Sequence, residues 1–265
     1  MAGRQMLIGT VFDLFPPSLQ QTVSLDFDGT SEEMRNDSSK NYGFGNVFSW
    51  MAWVKTADVT VNARHYIMKL AQVADGNTNT LRIDFLQRTT RLEVAIDTVG
   101  FQKFYRWART PTPTFQVGVW VQLLVTWNGA TQDLVGYIDG ALVTPSKVTD
   151  NNATVVSGDR THVIGRNNAV SGSYWDGRMH SIAMWDVELD AAAATTIYNG
   201  GNAGAVNLAA NSGSYTQSAD LLHWWRLGFN ASDIGEDSGF SSPLIDANFS
   251  GGGLTAADIV TDAPP

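Results

Sequence analysis

The sequence predicts an all-β fold, a sandwich of two antiparallel sheets, and three observations carry that prediction. Apolar and polar residues alternate through several short runs, which is the period of a half-buried strand. The runs close on turn dipeptides such as Asn128-Gly129 and Asp139-Gly140, the pairs that favour hairpins. Charged residues make up only 16% of the chain, while Gly (25 residues) and Trp (9 residues) are plentiful, the composition of short strands joined by many turns. No helix-length pattern alternates with these strands, so βαβ units are disfavoured. The 265 residues suffice for one large core without staples. Cys is absent, which removes disulfides, thiolate metal sites and a Cys nucleophile together.

The elements follow in order. Residues 1–21, "MAGRQMLIGTVFDLFPPSLQQ", are expected to form an N-terminal arm. Arg4 is followed by an apolar run that Asp13 and Pro16-Pro17 interrupt, and no small-residue cleavage site follows, so an export signal is not expected. No stretch approaches the roughly 18 apolar residues of a membrane span. "VFSWMAWVKT", "WVQLLVTWNG", "LVGYIDGALV" and "THVIGRNN" read as strands. In "RLEVAIDTV", Leu92, Val94 and Ile96 share one face, with Arg91, Glu93, Ala95 and Asp97 on the other. "YWDGRMHSIAMWD" is a strand entered by an Asp176-Gly177 turn. Met179, Ser181, Ala183 and Trp185 are expected on one face, and His180, Ile182, Met184 and Asp186 on the other. One short helix is predicted, N-capped by Asp190, carried by four alanines and ended by Gly200 or Gly201. Residues 199–220 are small and polar enough to pass for a linker. "LLHWWRL" then supplies a C-terminal strand, expected to dock on the same sandwich.

The formal net charge is −9 with no Lys/Arg cluster, so a phosphate backbone would be repelled and nucleic acid is not an expected partner. A membrane is not expected either.

In order and spacing, the set "VSLDFDGTSEEM" (23–34), "FSWMAWVKT" (48–56), "WVQLLVTWNG" (120–129), "GYIDGALV" (136–143), "HVIGRN" (162–167) and "WDGRMHSIAMWDVELDAAAATTIYNGG" (175–201) resembles the laminin-G-like, concanavalin A-like jelly-roll superfamily. The resemblance implies an antiparallel two-sheet jelly roll over residues 22–201, with residues 202–265 as a C-terminal extension packed on it in one globular unit. There are departures. Many relatives carry an Asp-Glu pair where this chain has His180 and Ser181, and a His where it has Gln122. "HWWRLGFNASDIGEDSG" looks like a stretch that relatives place before their first strand.

The superfamily includes β-glucanases, which carry grouped carboxylates on one strand. The nearest candidates here are Glu93 and Asp97, but four residues of strand separate them by about 13 Å, beyond the roughly 5–9.5 Å of either hydrolytic course. A solvated strand face is the expectation for both, and no catalytic residue is assigned. His65, His162, His180 and His223 are scattered without metal-ligand spacing and read as structural, and no Gly-x-Ser-x-Gly elbow is present. Relatives often hold calcium at a loop rim. Oxygen ligands for Ca²⁺ are available in Asp26 and Asp28, in Asp150 with Asn151 and Asn152, and in Asp233, Glu236 and Asp237. None of these groups supplies six to eight oxygens, so calcium is left open and unassigned. The adjacent Trp224 and Trp225 must point to opposite faces, as must Trp50 and Trp53, and both faces are expected to be covered.

Fold and context together lead to a non-enzymatic expectation. The implied fold is used mostly outside cells, yet the chain opens on Met1 without an export signal. A virion component, made in the host cytoplasm and released by lysis, reconciles the two, and the "DLLHWWRL" and "ADIVTDAP" segments resemble laminin-G-like proteins of bacteriophage particles. The expected role is capsid decoration or tail association through protein–protein surface burial, with other virion proteins or a second copy as partners. The arm residues Leu7, Ile8, Val11, Phe12, Leu14 and Phe15 are the expected docking element, on a neighbour or on their own sandwich. The alternative is a lectin-like adhesion module that binds surface glycans.

Overall fold

The alternating runs fold as pleated strands whose apolar faces meet across a shared core. A computed structural model describes residues 21–60, 64–72, 82–98, 101–156, 158–166, 173–240, 244–246 and 253–265. One sheet contains β1 (Ser24–Asp28), β3 (Val47–Thr56), β8 (Trp120–Asn128), β9 (Asp133–Ile138), β10 (Ala141–Val143), β13 (Asp176–Trp185), β14 (Leu221–Trp225) and β15 (Ile259–Val260). Its order is β10-β9-β8-β3-β13-β1-β15, with β14 also paired to β13. The other contains β2 (Met34–Asn41), β4 (Arg64–Gln72), β5 (Arg82–Arg88), β6 (Arg91–Thr98), β7 (Phe101–Trp107), β11 (Ser146–Asp150) and β12 (Asp159–Ile164), in the order β11-β7-β6-β5-β4-β12-β2. Pairings between these strands are antiparallel. The fold is thus the two-sheet jelly-roll sandwich expected.

The inner faces form one core that includes Trp50, Phe85, Leu92, Val94, Ile96, Leu123, Val125 and Trp225. Trp50 and Phe85 stack across it with ring centroids 3.8 Å apart. Each fully buried aliphatic or aromatic side chain of this kind contributes about 1.5–3 kcal/mol. The predicted split of the tryptophans holds. Trp50 and Trp225 lie in the inter-sheet core, whereas Trp53 and Trp224 lie in a second cluster on the outer face of the first sheet. At the β9–β10 hairpin, Asp139 (φ 52°) and Gly140 (φ 71°) both take the left-handed conformation that such a turn demands.

The short helix, α1, spans Ala191–Tyr198, and the Asp190 carboxylate accepts from the Ala193 amide 2.7 Å away. It ends on Asn199 in the left-handed conformation, one residue before the predicted glycines; Asn is the other residue that tolerates this cap. Residues 199–220 are not a linker. Ala203, Leu208 and Tyr215 are buried with α1 against Met51, Trp53, Leu124 and Trp185, and so close the outer face of the first sheet.

Two further readings are corrected. Asp176 and Gly177 lie inside β13, paired with Asp28 and Phe27, not in a turn before it. The face assignment on β13 also breaks, because the pairing with β3 shifts between Met179 and Ser181. That bulge adds a residue at His180 and inverts the alternation. Met179 therefore shares the inner core with Ile182 and Met184, away from Ser181.

The C-terminal segment is fastened to the first sheet. The Asp262 carboxylate accepts from Lys55 Nζ (2.8 Å), Trp120 Nε1 (3.2 Å) and the Arg178 guanidinium.

Candidate functional site

Each residue singled out in the sequence has a specific place. Glu93 is not on a solvated face: it is 0% exposed. Arg106, directly across on β7, forms an ion pair with Glu93 Oε1 at 2.8 Å, and Arg91, two residues before it on β6, donates to the same oxygen at 3.1 Å. Pleating puts all three on the outer side of the sheet, and the arginine stems bury the carboxylate. Asp97 accepts from the Gln102 amide. The sequence offered no sign of Asp84, which β5 brings to the diagonal position beside Glu93. Diagonal neighbours lie about 7–8 Å apart. Asp84 is buried too, at 2% exposure.

The calcium candidates are occupied by the protein's own donors. The Asp28 carboxylate accepts from the amides of Thr30, Ser31 and Glu32 and from two hydroxyls. Burial alone would raise its pKa, and the Ser31 and Thr30 donors outweigh that and hold it below the usual carboxylate range. Asp26 pairs with Arg178 at 3.2 Å. Asp150 accepts from Lys103, Lys147 and Tyr105, beside exposed Asn151 and Asn152. Glu236 accepts from Asn230 at 2.9 Å, and Asp233 lies near it, its pKa raised by burial and by Asp246. Among the described residues no group of three or more His, Asp or Glu surrounds a common cation position.

The four histidines are buried. His65 Nδ1 donates to the Tyr174 carbonyl at 2.7 Å, and His162 bonds the Tyr42 hydroxyl. His180 Nε2 donates to the Gln21 carbonyl at 3.3 Å, and His223 Nδ1 to Asp237 at 2.6 Å. The expected docking residues Leu7, Ile8, Val11, Phe12, Leu14 and Phe15 lie outside the described residues.

The feature that sequence reasoning missed is a groove beside β14. It encloses about 380 Å³ and is lined by residues 204–207 and Ala209, by Trp224 and Arg226, and by residues 236–240 and Leu244. Asp237 assembles it. Its carboxylate accepts from the amides of Trp224 (2.9 Å), Gly239 (2.9 Å) and Ile245 (3.0 Å) as well as from His223. Ser238 and Phe240 then donate back to the carbonyls of Trp224 and Leu222. Gly239 is required there, because a Cβ would lie 2.2 Å from the Leu222 carbonyl oxygen. These bonds leave Phe240 and Leu244 more than half exposed, at 53% and 52%, on the groove wall. The Arg226 guanidinium carbon lies 5.0 Å from the Trp224 ring centroid and 3.4 Å from that of Phe229. Burial lowers the Arg226 pKa to about 10, with Glu236 acting in opposition, so the group stays charged at neutral pH. The buried Trp224 Nε1 donor has no partner among the described residues, and leaving such a group unsatisfied costs about 1–3 kcal/mol. The groove joins segments far apart in sequence. The signals available for it were the Trp224-Trp225 face split and the Ser238-Gly239 turn after Asp237.

The profile of the concanavalin A-like lectin/glucanases superfamily, laminin-G type, matches residues 28–195. Among solved structures, the heptameric SAP-like pentraxin from Limulus polyphemus aligns with a TM-score of 0.50 at 16% identity, covering 67% of this chain and 82% of its own. A protein described as a candidate carbohydrate binder from Bacteroides ovatus aligns with a TM-score of 0.50 at 17% identity, covering 78% of this chain. This chain spans about half of that protein, 52% of its length. Identities this low establish the fold alone. No protein of curated function matches the sequence. The groove residues, the first of them Gly204, fall outside the matched stretch.

Proposed function

The chain belongs to the concanavalin A-like lectin/glucanases superfamily, and we propose that it is a non-enzymatic carbohydrate-binding module whose ligand sits in the groove beside β14. The observation that carries this reading is the exposed Phe240 on the groove wall, facing a cavity that also holds Trp224, Arg226 and Glu236. A sugar ring presents a C–H face and a rim of hydroxyls. The first suits an aromatic surface, and the second suits a few fixed polar groups, the usual composition of a small-molecule site. Hydrolysis by the two-carboxylate route needs a facing pair. In the groove, Asp237 is committed to four internal donors, so Glu236 lacks such a partner.

The family's lectin members and the description of the Bacteroides protein favour this alternative over the virion-structural role expected from the sequence. A particle location is retained as a separate proposal, tested by whether the chain copurifies with particles and loses them when residues 1–20 are deleted. Gln21 is kept in that variant because its amide bonds the carbonyls of His180 and Leu227.

A glycan array with the full chain, followed by titration calorimetry, tests the carbohydrate reading. Binding that Phe240→Ala weakens about tenfold, at unchanged stability, is the expected result. Binding to no glycan would end the proposal.

A further inference from the structure

A second cavity of about 260 Å³ lies across a shared ridge from the groove, with Ala205, Val206 and Asn207 lining both. Its character is different. Where the groove is aromatic, this chamber is lined by amides and hydroxyls, among them Asn199, Asn207, Asn211 and Ser212. The three asparagines share one arrangement: each is pinned at one end of its amide by its own backbone or a neighbour. Asn199 Nδ2 donates to the Asn202 carbonyl at 3.2 Å, and Asn207 Oδ1 accepts from the Ala209 amide at 3.0 Å. Asn211 Oδ1 accepts from the Ser218 amide and hydroxyl at 3.1 and 2.6 Å. The pinned ends fix the planes of the amides. The opposite ends, one acceptor on Asn199 and the donors of Asn207 and Asn211, have no protein partner among the described residues. All three side chains are exposed.

Polar groups held in place before a ligand arrives lose little freedom on binding it, which is how a site gains affinity from ordinary hydrogen bonds. A lone sugar in the groove would leave this chamber unused. We propose that groove and chamber are two subsites of one cleft, and that the ligand is a neutral oligosaccharide chain crossing the 205–207 ridge. One unit rests against Trp224 and Phe240, and the next hydrogen-bonds Asn199, Asn207 and Asn211. A neutral chain suits a cleft in which the charges of Arg226 and Glu236 offset each other, on a protein of net charge −9. The proposal rests on the carbohydrate-binding reading above and adds the size and charge of the ligand to it.

The test is calorimetry on the full chain with gluco-, xylo- and manno-oligosaccharides from monosaccharide to hexasaccharide. Affinity is expected to climb about tenfold between the monosaccharide and the trisaccharide and then level off. Asn207→Asp and Asn211→Asp keep the pinned Oδ1 acceptor and remove the outward donor, so the fold is preserved. Each is expected to weaken the longer chains roughly 2- to 10-fold, the worth of one net hydrogen bond, and Asn211→Asp, which touches the chamber and not the groove, is expected to leave the monosaccharide unchanged. Affinity independent of length, or an Asn211→Asp variant that weakens short and long ligands equally, would overturn the two-subsite cleft while leaving glycan binding intact. Failure of every member to bind would remove the functional reading, and the cleft with it.

Discussion

His223 and Asp237 form a fully buried pair, with Nδ1 2.6 Å from Oδ2 and both side chains 0% exposed. Each ring nitrogen of His223 faces an acceptor, since Nε2 lies 3.1 Å from the Tyr42 carbonyl. Asp237, which takes three backbone amides besides, is a carboxylate. Burial alone would raise the Asp237 pKa, but His223 and the Ile245 and Trp224 amides outweigh it and the net shift is downwards. The surroundings are Tyr42, whose hydroxyl burial holds well above its usual range, His162 behind it, Arg160, and Trp225 stacked on His223 at 5.2 Å. Asp237→Ala should cost about 3–5 kcal/mol, the usual result of removing one partner of a buried pair, read by urea denaturation. A group with a depressed folded pKa stabilises above its unfolded value, here 3.8, and loses that contribution as pH falls through the folded value. The variant should thus converge on the wild type only below that pH.

His180 is buried against a hydroxyl and a carbonyl. Burial pushes its pKa down to about 4, with the Gln21 carbonyl acting against the shift and Arg226 adding to it. Its Nδ1 bonds the Ser181 hydroxyl and its Nε2 donates to Gln21, which suits a neutral ring. Between about 6.5 and 4 the unfolded chain binds a proton that the folded chain refuses, so stability must fall as pH drops through that window. The total is on the order of 3 kcal/mol. Denaturation midpoints at pH 7 and pH 5 measure it, with His180→Gln as the control that should flatten the slope. Equal slopes in the two proteins would refute the assignment.

Gly136 on β9 sits against the indole of Trp107, and a Cβ there would lie 2.4 Å from Nε1. Trp107 is fully buried and has no room to withdraw. Gly136→Ala should therefore cost about 1–3 kcal/mol through overpacking. Adding Trp107→Phe to Gly136→Ala should return part of the loss, because the smaller ring vacates that space. Additive losses in thermal melts would show that the contact does not limit packing.

How much of this was legible follows from what alternation can and cannot encode. Leu92, Val94 and Ile96 announced an inward face, and Asp139-Gly140 announced a hairpin, because period and turn chemistry are local. Asp190 announced its helix for the same reason. The bulge at His180 was invisible, since an extra residue in one strand shows only against its partner. The environment of Glu93 was invisible too, because Arg106 reaches it from the neighbouring strand and cross-strand register is a tertiary fact. Residues 199–220 looked like a linker because their small side chains were judged by composition; Ala203, Leu208 and Tyr215 nevertheless fill the space over Trp53 and Trp185. The groove needed three distant segments at once, and Asp237, one of the oxygens available to an unassigned calcium, takes three backbone amides and His223 as its partners.

Glu93 offers the sharpest check on the absence of hydrolytic chemistry from the proposed function. It lies diagonal to Asp84, a separation that two catalytic carboxylates can have. However, it is fully buried, and its Oε1 is shared by two arginines that are themselves a quarter to a third exposed, at 26% and 34%. A carboxylate so held has no access for water or sugar and serves to keep β6 and β7 in register. Removing it would leave two guanidiniums facing each other. Glu93→Ala should accordingly destabilise the fold by about 1–3 kcal/mol, a buried-pair loss discounted for the solvent that reaches the arginines. Glu93→Gln should recover part of that through its amide oxygen. Neither variant should change glycan affinity, since the groove lies on the other sheet. Polysaccharide cleavage by the wild-type chain that disappears in both Glu93→Gln and Asp84→Asn would make this face an active site and overturn the binding-module reading.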